Sequence, residues 1–266
     1  MEIIQLSYLD LLLTACLILA LALASYLLKV GNTRQLLVAA IRNFIQLLII
    51  GHILQFIFNA NSLSQVMLIS SIMLLVAGWE INARQKYRLT QRAGLKIATL
   101  SLFISSFLVT WFALQIIISP QPWYSPQYAI PLLGMLLGNT MNGISLGMDN
   151  LNQSIYQQRF IIEQRLMLGE SSQQAISEIK SNSIRTGMIP IINSMAIAGI
   201  VSMPGMMTGQ ILSGTEPLIA VRYQILLFYL ISAGTGFGIM IAVWQISKRL
   251  FDDRDRLLIN NIERLK

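Results

Sequence analysis

The sequence predicts an all-α integral membrane protein with seven transmembrane helices, its N-terminus outside and its C-terminus inside. Three observations carry this reading. The 266-residue chain is 55% hydrophobic and 12% charged, with a mean hydropathy of +0.62, whereas an average soluble domain carries roughly 25% charged residues. Seven stretches reach the about 20 mostly apolar residues that a bilayer-spanning helix needs. The cations fall in alternate connections between those stretches.

In chain order the spans are Leu6–Leu28, Leu36–Phe58, Leu63–Ala83, Ile97–Ile118, Tyr128–Met148, Gly187–Leu212 and Leu218–Ile246. The remainder is too short for a soluble catalytic domain, so residues 1–266 read as one membrane domain with short loops. The first span resembles a signal peptide at Ala20-Leu21-Ala22 and Ala22-Leu23-Ala24, but Met1 is followed by Glu2 rather than by a basic start. Its apolar stretch also exceeds a signal-peptide core. A retained helix is expected.

The connections set the orientation. Loop 29–35 holds Lys29 and Arg34, and segment 84–96 holds Arg84, Lys86, Arg88, Arg92 and Lys96. Segment 149–186 holds Arg159, Arg165, Lys180 and Arg185; the tail from 247 to 266 holds Lys248, Arg249, Arg254, Arg256, Arg264 and Lys266. Loops 59–62, 119–127 and 213–217 contain neither Lys nor Arg. Basic residues stay cytoplasmic during insertion, so the N-terminus lies outside. Trp123 and Tyr124 suit the outer interface. The charged tail reads as an amphipathic helix.

Several chemistries are excluded. One cysteine, Cys16, rules out a disulfide framework and multi-cysteine metal sites. One histidine, His52, rules out every motif that needs two, and it reads as a hydrogen-bonded helix-packing residue. Gly143-Ile144-Ser145-Leu146-Gly147 matches a nucleophile pattern, yet that chemistry needs a strand–turn–helix elbow with a His and a carboxylate. Its glycines, with Gly134 and Gly138, read as helix-packing positions. No phosphate-binding P-loop occurs, so ATP is not bound by this chain in that manner. The net charge of +7 belongs to cytoplasmic loops rather than to nucleic-acid binding.

Segment 149–186 carries the clearest functional signal. Leu151, Ile155, Ile162 and Leu166 form one apolar stripe. Gly169 interrupts the helix as a left-handed cap would, and Ser171 or Ser172 can cap a second helix carrying Ala175, Ile176 and Ile179. A surface-lying lipid helix prefers Lys and Arg on its polar face. Residues 170–182 instead offer Glu170, Glu178, four serines, two glutamines and one lysine. A protein-docking elbow is expected.

Glu163, then Gly169 six residues on, then Ile179 after nine more, resembles the coupling loop of ABC-transporter permeases. Gln164 and Arg165 stand where that loop has two alanines, and Ser181-Asn182 where it has Leu-Pro. Gly138-Asn139-Thr140-Met141-Asn142, Ile189-Pro190-Ile191-Ile192-Asn193-Ser194-Met195, the run from Val201 to Gln210 and Ala220-Val221-Arg222-Tyr223-Gln224-Ile225 resemble the FetB (YbbM) family of ABC permeases, which is associated with iron export. The resemblance implies a homodimeric permease in a bacterial inner membrane, joined by two copies of a separate ATP-binding subunit that binds ATP and Mg. The coupling residues it implies are Glu163, Leu168, Gly169, Glu170, Ala175 and Ile179. No cofactor is expected in this chain, and it is not itself expected to be an enzyme.

Polar residues inside spans mark a candidate path, because ionisable groups in a bilayer usually face a bundle interior or a cavity. Arg42 and Gln46 lie in the second span and Glu80 in the third. Glu80 can pair with Arg42 or with Arg84 one turn on; the pair is either structural or a gate. Asn139 and Asn142 lie in the fifth span. The sixth carries Asn193 and is expected to break at Pro190 and again at Pro204-Gly205, with Met203, Met206, Met207, Thr208 and Gln210 around the outer break. Thioethers suit soft ions rather than iron, so these methionines read as packing or as ligands, and a metal site is not assigned. Arg222 can pair with Glu216 or attract an anion. The expected function is a metal-exporting permease driven by a partner ATPase. The alternative is a gradient-driven secondary transporter or channel, which needs a carboxylate near mid-membrane; Asp10 and Glu80 lie toward span ends.

Overall fold

The computed structural model describes residues 7–60, 62–90 and 93–264. Met1, Glu2, Leu6, Asn61, Arg92 and Lys266 lie outside them. Helix α1 (Tyr8–Leu27) opens with Ser7 as N-cap in a reciprocal capping box with Asp10. Helix α2 (Thr33–Ala60) packs against α1 and exposes nearly its whole surface, Ile57 being its buried anchor. Helix α3 (Leu63–Arg84) follows, then a short strand β1 (Tyr87–Leu89). The next span is α4 (Ala93–Leu102), which widens to π-helix over Phe103–Phe107, tightens as α5 (Leu108–Phe112) and widens again over Ala113–Ile118.

Helix α6 (Pro126–Gln157) is the centre of the bundle and packs on α3, α9 (Ser177–Ile197) and α11 (Pro217–Arg249). Glycines set those approaches. A Cβ on Gly187 would meet the Gly143 carbonyl at 2.6 Å, and one on Gly143 would meet Thr235 Cγ2 at 2.5 Å. Gly147 is likewise closed off by Ile239, whereas Gly138 has open space beside it. The expected small-residue packing therefore holds at the inner part of the stripe. Between α6 and α9 lie α7 (Arg159–Met167) and the single-turn α8 (Ser172–Ala175).

Among the described residues, six helices are long and apolar enough to cross a membrane: Leu9–Leu27, Thr33–Phe58, Leu63–Arg84, Ala93–Ile118, Pro126–Gln157 and Pro217–Arg249. Their bounds agree with six of the seven predicted spans, except that the fifth runs on to Gln157. The predicted span Gly187–Leu212 differs. It is split into α9 and α10 (Gly205–Leu212), and eight of the first ten residues of α9 are Ser, Glu, Lys, Asn, Arg or Thr.

Of the two expected breaks, the one at Pro190 is absent, whereas the one at Pro204-Gly205 is present as the end of a longer turn over 198–204. Pro190 lies inside a continuous α9, its missing N–H costing one ladder bond without ending the helix. The chain instead leaves helix at Ala198 and turns through Gly199 at φ +83°, where the Gly199 amide donates to the Ser202 carbonyl at 2.9 Å. Pro204 then serves as N-cap of α10.

The tail corrects a second expectation. It is not a helix: beyond Arg249 it turns back, and strand β2 (Ile262–Arg264) pairs antiparallel with β1 in the register Tyr87↔Arg264, Arg88↔Glu263, Leu89↔Ile262. Asp252 shapes the turn by accepting from the Arg254 and Arg256 amides at 3.0 and 2.8 Å. Strands of three residues are too short to show a period of two, and only a partner strand elsewhere in the chain makes them strands at all.

Two cores result. One joins Ile81, Leu102, Leu151, Ile155, Ile162, Ile176, Ile246, Leu250 and Ile262, so the elbow and the tail share a core with the bundle. The other joins Ile57, Val66, Leu114, Ile130, Leu136, Ile191 and Leu227.

Candidate functional site

Three helices bring a polar cluster together at one level of the bundle. Both terminal nitrogens of Arg42 on α2 lie 3.3 Å from Glu80 Oε2 on α3. Arg84, one turn beyond Glu80, donates from Nε to Oε1 at 3.1 Å and from a terminal nitrogen to Asn142 Oδ1 on α6 at 3.1 Å. The two pairings open to Glu80 in the sequence thus both occur. Glu80 is largely enclosed, its side chain 16% exposed, while Arg42 and Arg84 are 44% and 50% exposed. Gln46, one turn along α2 from Arg42, is exposed; Asn139 is exposed and donates to the Met135 carbonyl of its own helix at 2.8 Å.

Immediately beyond the cluster, Asp149 of α6 accepts from the Lys86 and Tyr87 amides at 2.8 and 3.1 Å. Buried Asn152 donates to the Tyr87 carbonyl at 3.0 Å. These bonds satisfy the edge of β1 that β2 does not cover, and they tie the α3–α4 connection to the helix that enters the elbow.

The elbow turns at Gly169, whose φ of +94° lies in the left-handed region that a residue without Cβ reaches at no steric cost. Ser171 caps α8 and forms a capping box with Gln174. The predicted coupling residues separate into two groups. Glu163, Leu168, Gly169 and Glu170 are exposed, Leu168 at 85% and its neighbour Met167 at 79%. Ala175 and Ile179, with Ile162 and Ile176, are buried in the bundle's own core. They hold the loop from behind rather than presenting it.

At the other end of α9 a cavity of about 330 Å³ is lined by Met195, Pro204, Met207, Gln224, Phe228 and Tyr229 among others. The three methionines around the break diverge. Met207 lines the cavity, Met206 packs on the second core, and Met203 is 67% exposed. Gln210 and Gln224 each bury a carbonyl oxygen without a partner. Asn193 is exposed on α9. Arg222 is exposed too, and the described residues show no ion pair between it and Glu216. No group of three or more His, Cys, Asp or Glu that could hold a metal ion occurs among the described residues.

The Uncharacterised protein family (UPF0014) matches residues 8–251, nearly the full length that forms the bundle. The chain belongs to the UPF0014 family. It is 38% identical over 227 residues to a UPF0014 membrane protein of Synechocystis, covering 85% of this chain and 87% of that one. It is 29% identical over 237 residues, 89% of each chain, to an Escherichia coli protein named "Probable iron export permease protein FetB". It is also similar to "Protein ALUMINUM SENSITIVE 3" of Arabidopsis thaliana, 32% identical over 201 residues, 76% of this chain and 71% of that one. No solved structure matches. With its six long apolar helices, this UPF0014 chain is an all-α, multi-pass membrane protein.

Some residues of this UPF0014 site have no signal in the sequence. Asp149 and Asn152 read as the start of a polar segment, and their partners 62 to 65 positions away are visible only in the fold. Gln224 lies in the run from Ala220 to Ile225, but its buried oxygen, without a partner among the described residues, is a tertiary fact. His52 bonds the Leu48 carbonyl of its own helix at 2.8 Å and is exposed, so the hydrogen bond of the expected helix-packing role is present while burial is not.

Proposed function

We propose that this chain is the permease subunit of an ATP-driven ABC transporter of the inner membrane, exporting a metal ion, with iron suggested by the name of its Escherichia coli relative. It works as a homodimer with two copies of a separate ATP-binding subunit, which supplies ATP and Mg. The observation that carries this reading is the elbow: Met167 and Leu168 stand out at 79% and 85% exposed on a turn whose flanking helices are locked into the bundle core. An exposed apolar tip on a rigid base suits insertion into a groove of another protein.

The full topology belongs to this reading. We take α9, the turn at 198–204 and α10 as the remaining crossing, since α9 packs along both α6 and α11. That gives seven crossings with the N-terminus outside and the C-terminus inside. The β1–β2 pairing and the Asp149 bonds support it, because they gather three basic connections at one end of the bundle. ATP-driven closure of the ATPase pair would move the elbow, and α9 would carry that motion from the elbow to the outer cavity. The polar face of Arg42, Gln46, Asn139 and Asn142, costly against lipid, lines the path between the two copies.

The test is reconstitution of the chain with its candidate ATPase in liposomes. Stable association and an altered ATPase rate, both lost when Leu168 and Gly169 are changed, support the proposal. Flux driven by an ion gradient without any ATPase would replace it with the secondary-transporter reading.

A further inference from the structure

We propose that Arg42, Arg84 and Asn142 form a binding site for an oxyanion, a carboxylate or phosphate group, so that what enters this path carries negative charge. Two guanidinium groups share one carboxylate, Glu80, at 3.1–3.3 Å. The cluster therefore keeps a net charge of about +1. The nearby acid, Asp149, is committed to the Lys86 and Tyr87 amides, and Lys86 itself adds an exposed cation. No further carboxylate reaches either arginine among the described residues.

The donors have the matching form. Each guanidinium holds five N–H groups in a planar fork. The bonds described occupy two on Arg42 and two on Arg84. The rest, on side chains about half exposed, are presented in the geometry that takes carboxylate or phosphate bidentately. A bare metal cation has the opposite requirement, and no acidic or imidazole cage for one exists among the described residues. A metal complexed by a polycarboxylate satisfies the site; a lipid phosphate headgroup offers the same chemistry. The inference deepens the transport reading and rests on it for the anion's fate, but binding itself needs no ATPase.

The experiment is calorimetric titration of the full chain, purified in neutral detergent, with citrate and with inorganic phosphate. A parallel arm compares micelles doped with phosphatidylglycerol or phosphatidylcholine. Saturable, salt-sensitive binding is expected, weakened tenfold or more by Arg42→Gln and by Arg84→Gln. Glu80→Gln removes the competing carboxylate and is expected to tighten binding several-fold, whereas a merely structural ion pair gives no such gain. Citrate or phosphate binding identifies a soluble anion, and phosphatidylglycerol binding alone identifies a headgroup; both retain the site. Binding that ignores the arginine substitutions, or that weakens in Glu80→Gln, overturns it, as does no binding of any of these probes. Because Arg42 lies on the exposed α2, its variant keeps the test usable should Arg84→Gln fail to fold. Loss of ATPase coupling with intact anion binding, or the reverse, separates this inference from the transport reading.

Discussion

Arg42 of α2 donates through both terminal guanidinium nitrogens to one oxygen of Glu80 on α3, at 3.3 Å from each. Helix α2 otherwise meets the bundle through Ile57 and Leu54, which pack on the second core, so this pair is one of few links between the first helical hairpin and the rest. Arg42→Gln and Glu80→Gln should be non-additive. With Arg42 nearly half exposed, the coupling is expected at about 1 kcal/mol or less. A double-mutant cycle by denaturation in detergent measures it; additive losses mean the pair contributes nothing.

Gly169→Val should uncouple ATP hydrolysis from flux while leaving the bundle folded. No atom lies within 4 Å of a Cβ at Gly169, so the penalty is purely the left-handed backbone at φ +94°, about 1–2 kcal/mol for a residue with a Cβ. Gly169→Asn should retain more coupling than Gly169→Val, because Asn tolerates that region better. Equal coupling in all three proteins would refute a role for the turn geometry.

Gly187→Leu should abolish assembly of the bundle. Its side chain would enter space held by the Gly143 carbonyl and Ile239, and backbone cannot yield as a flexible side chain does. Overpacking of this kind costs about 1–3 kcal/mol or more. The readout is the monodisperse fraction on size exclusion. Gly138→Ala, at a site with open space, is the control and should elute as the parent does.

Deleting residues 259–266 should loosen the α3–α4 connection. Strand β2 is lost, along with the bond from the Thr90 amide to the Asn261 carbonyl at 2.9 Å. Faster hydrogen exchange is expected at the amides of Arg88 and Thr90, which face β2, with the Tyr87 amide protected by Asp149. Uniform exchange across 86–90 in both proteins would show that the tail stabilises nothing there.

The turn that brings the tail back should weaken in acid. The Arg256 backbone amide beside Asp252 holds its carboxyl below the usual carboxylate range. A depressed folded value contributes stability above the unfolded value, near 3.9, and that stability is lost as pH falls through the folded one. Exchange of the Arg256 amide, taken relative to its intrinsic rate at the same pH, should therefore rise at low pH in the parent. In Asp252→Asn it should be raised already at neutral pH.

The sequence alone determined what depends on composition and local period. Lipid solvent demands long apolar helices with internally satisfied backbones, so the spans at Leu63–Ala83 and Leu218–Ile246 were legible to within a few residues. Gly169 and Ser171 were legible as a turn and a cap because both act through their own backbone neighbours. Tertiary structure decided what depends on residues distant in sequence. It gave Glu80 both arginines, assigned Asp149 and Asn152 to β1, and turned a charged tail into the strand that completes that sheet. It also removed the expected break at Pro190 and extended the one at Pro204-Gly205 back to Ala198 and Gly199. A proline removes one hydrogen bond, which a helix packed between α6 and α11 can lose, whereas a glycine at positive φ redirects the chain itself.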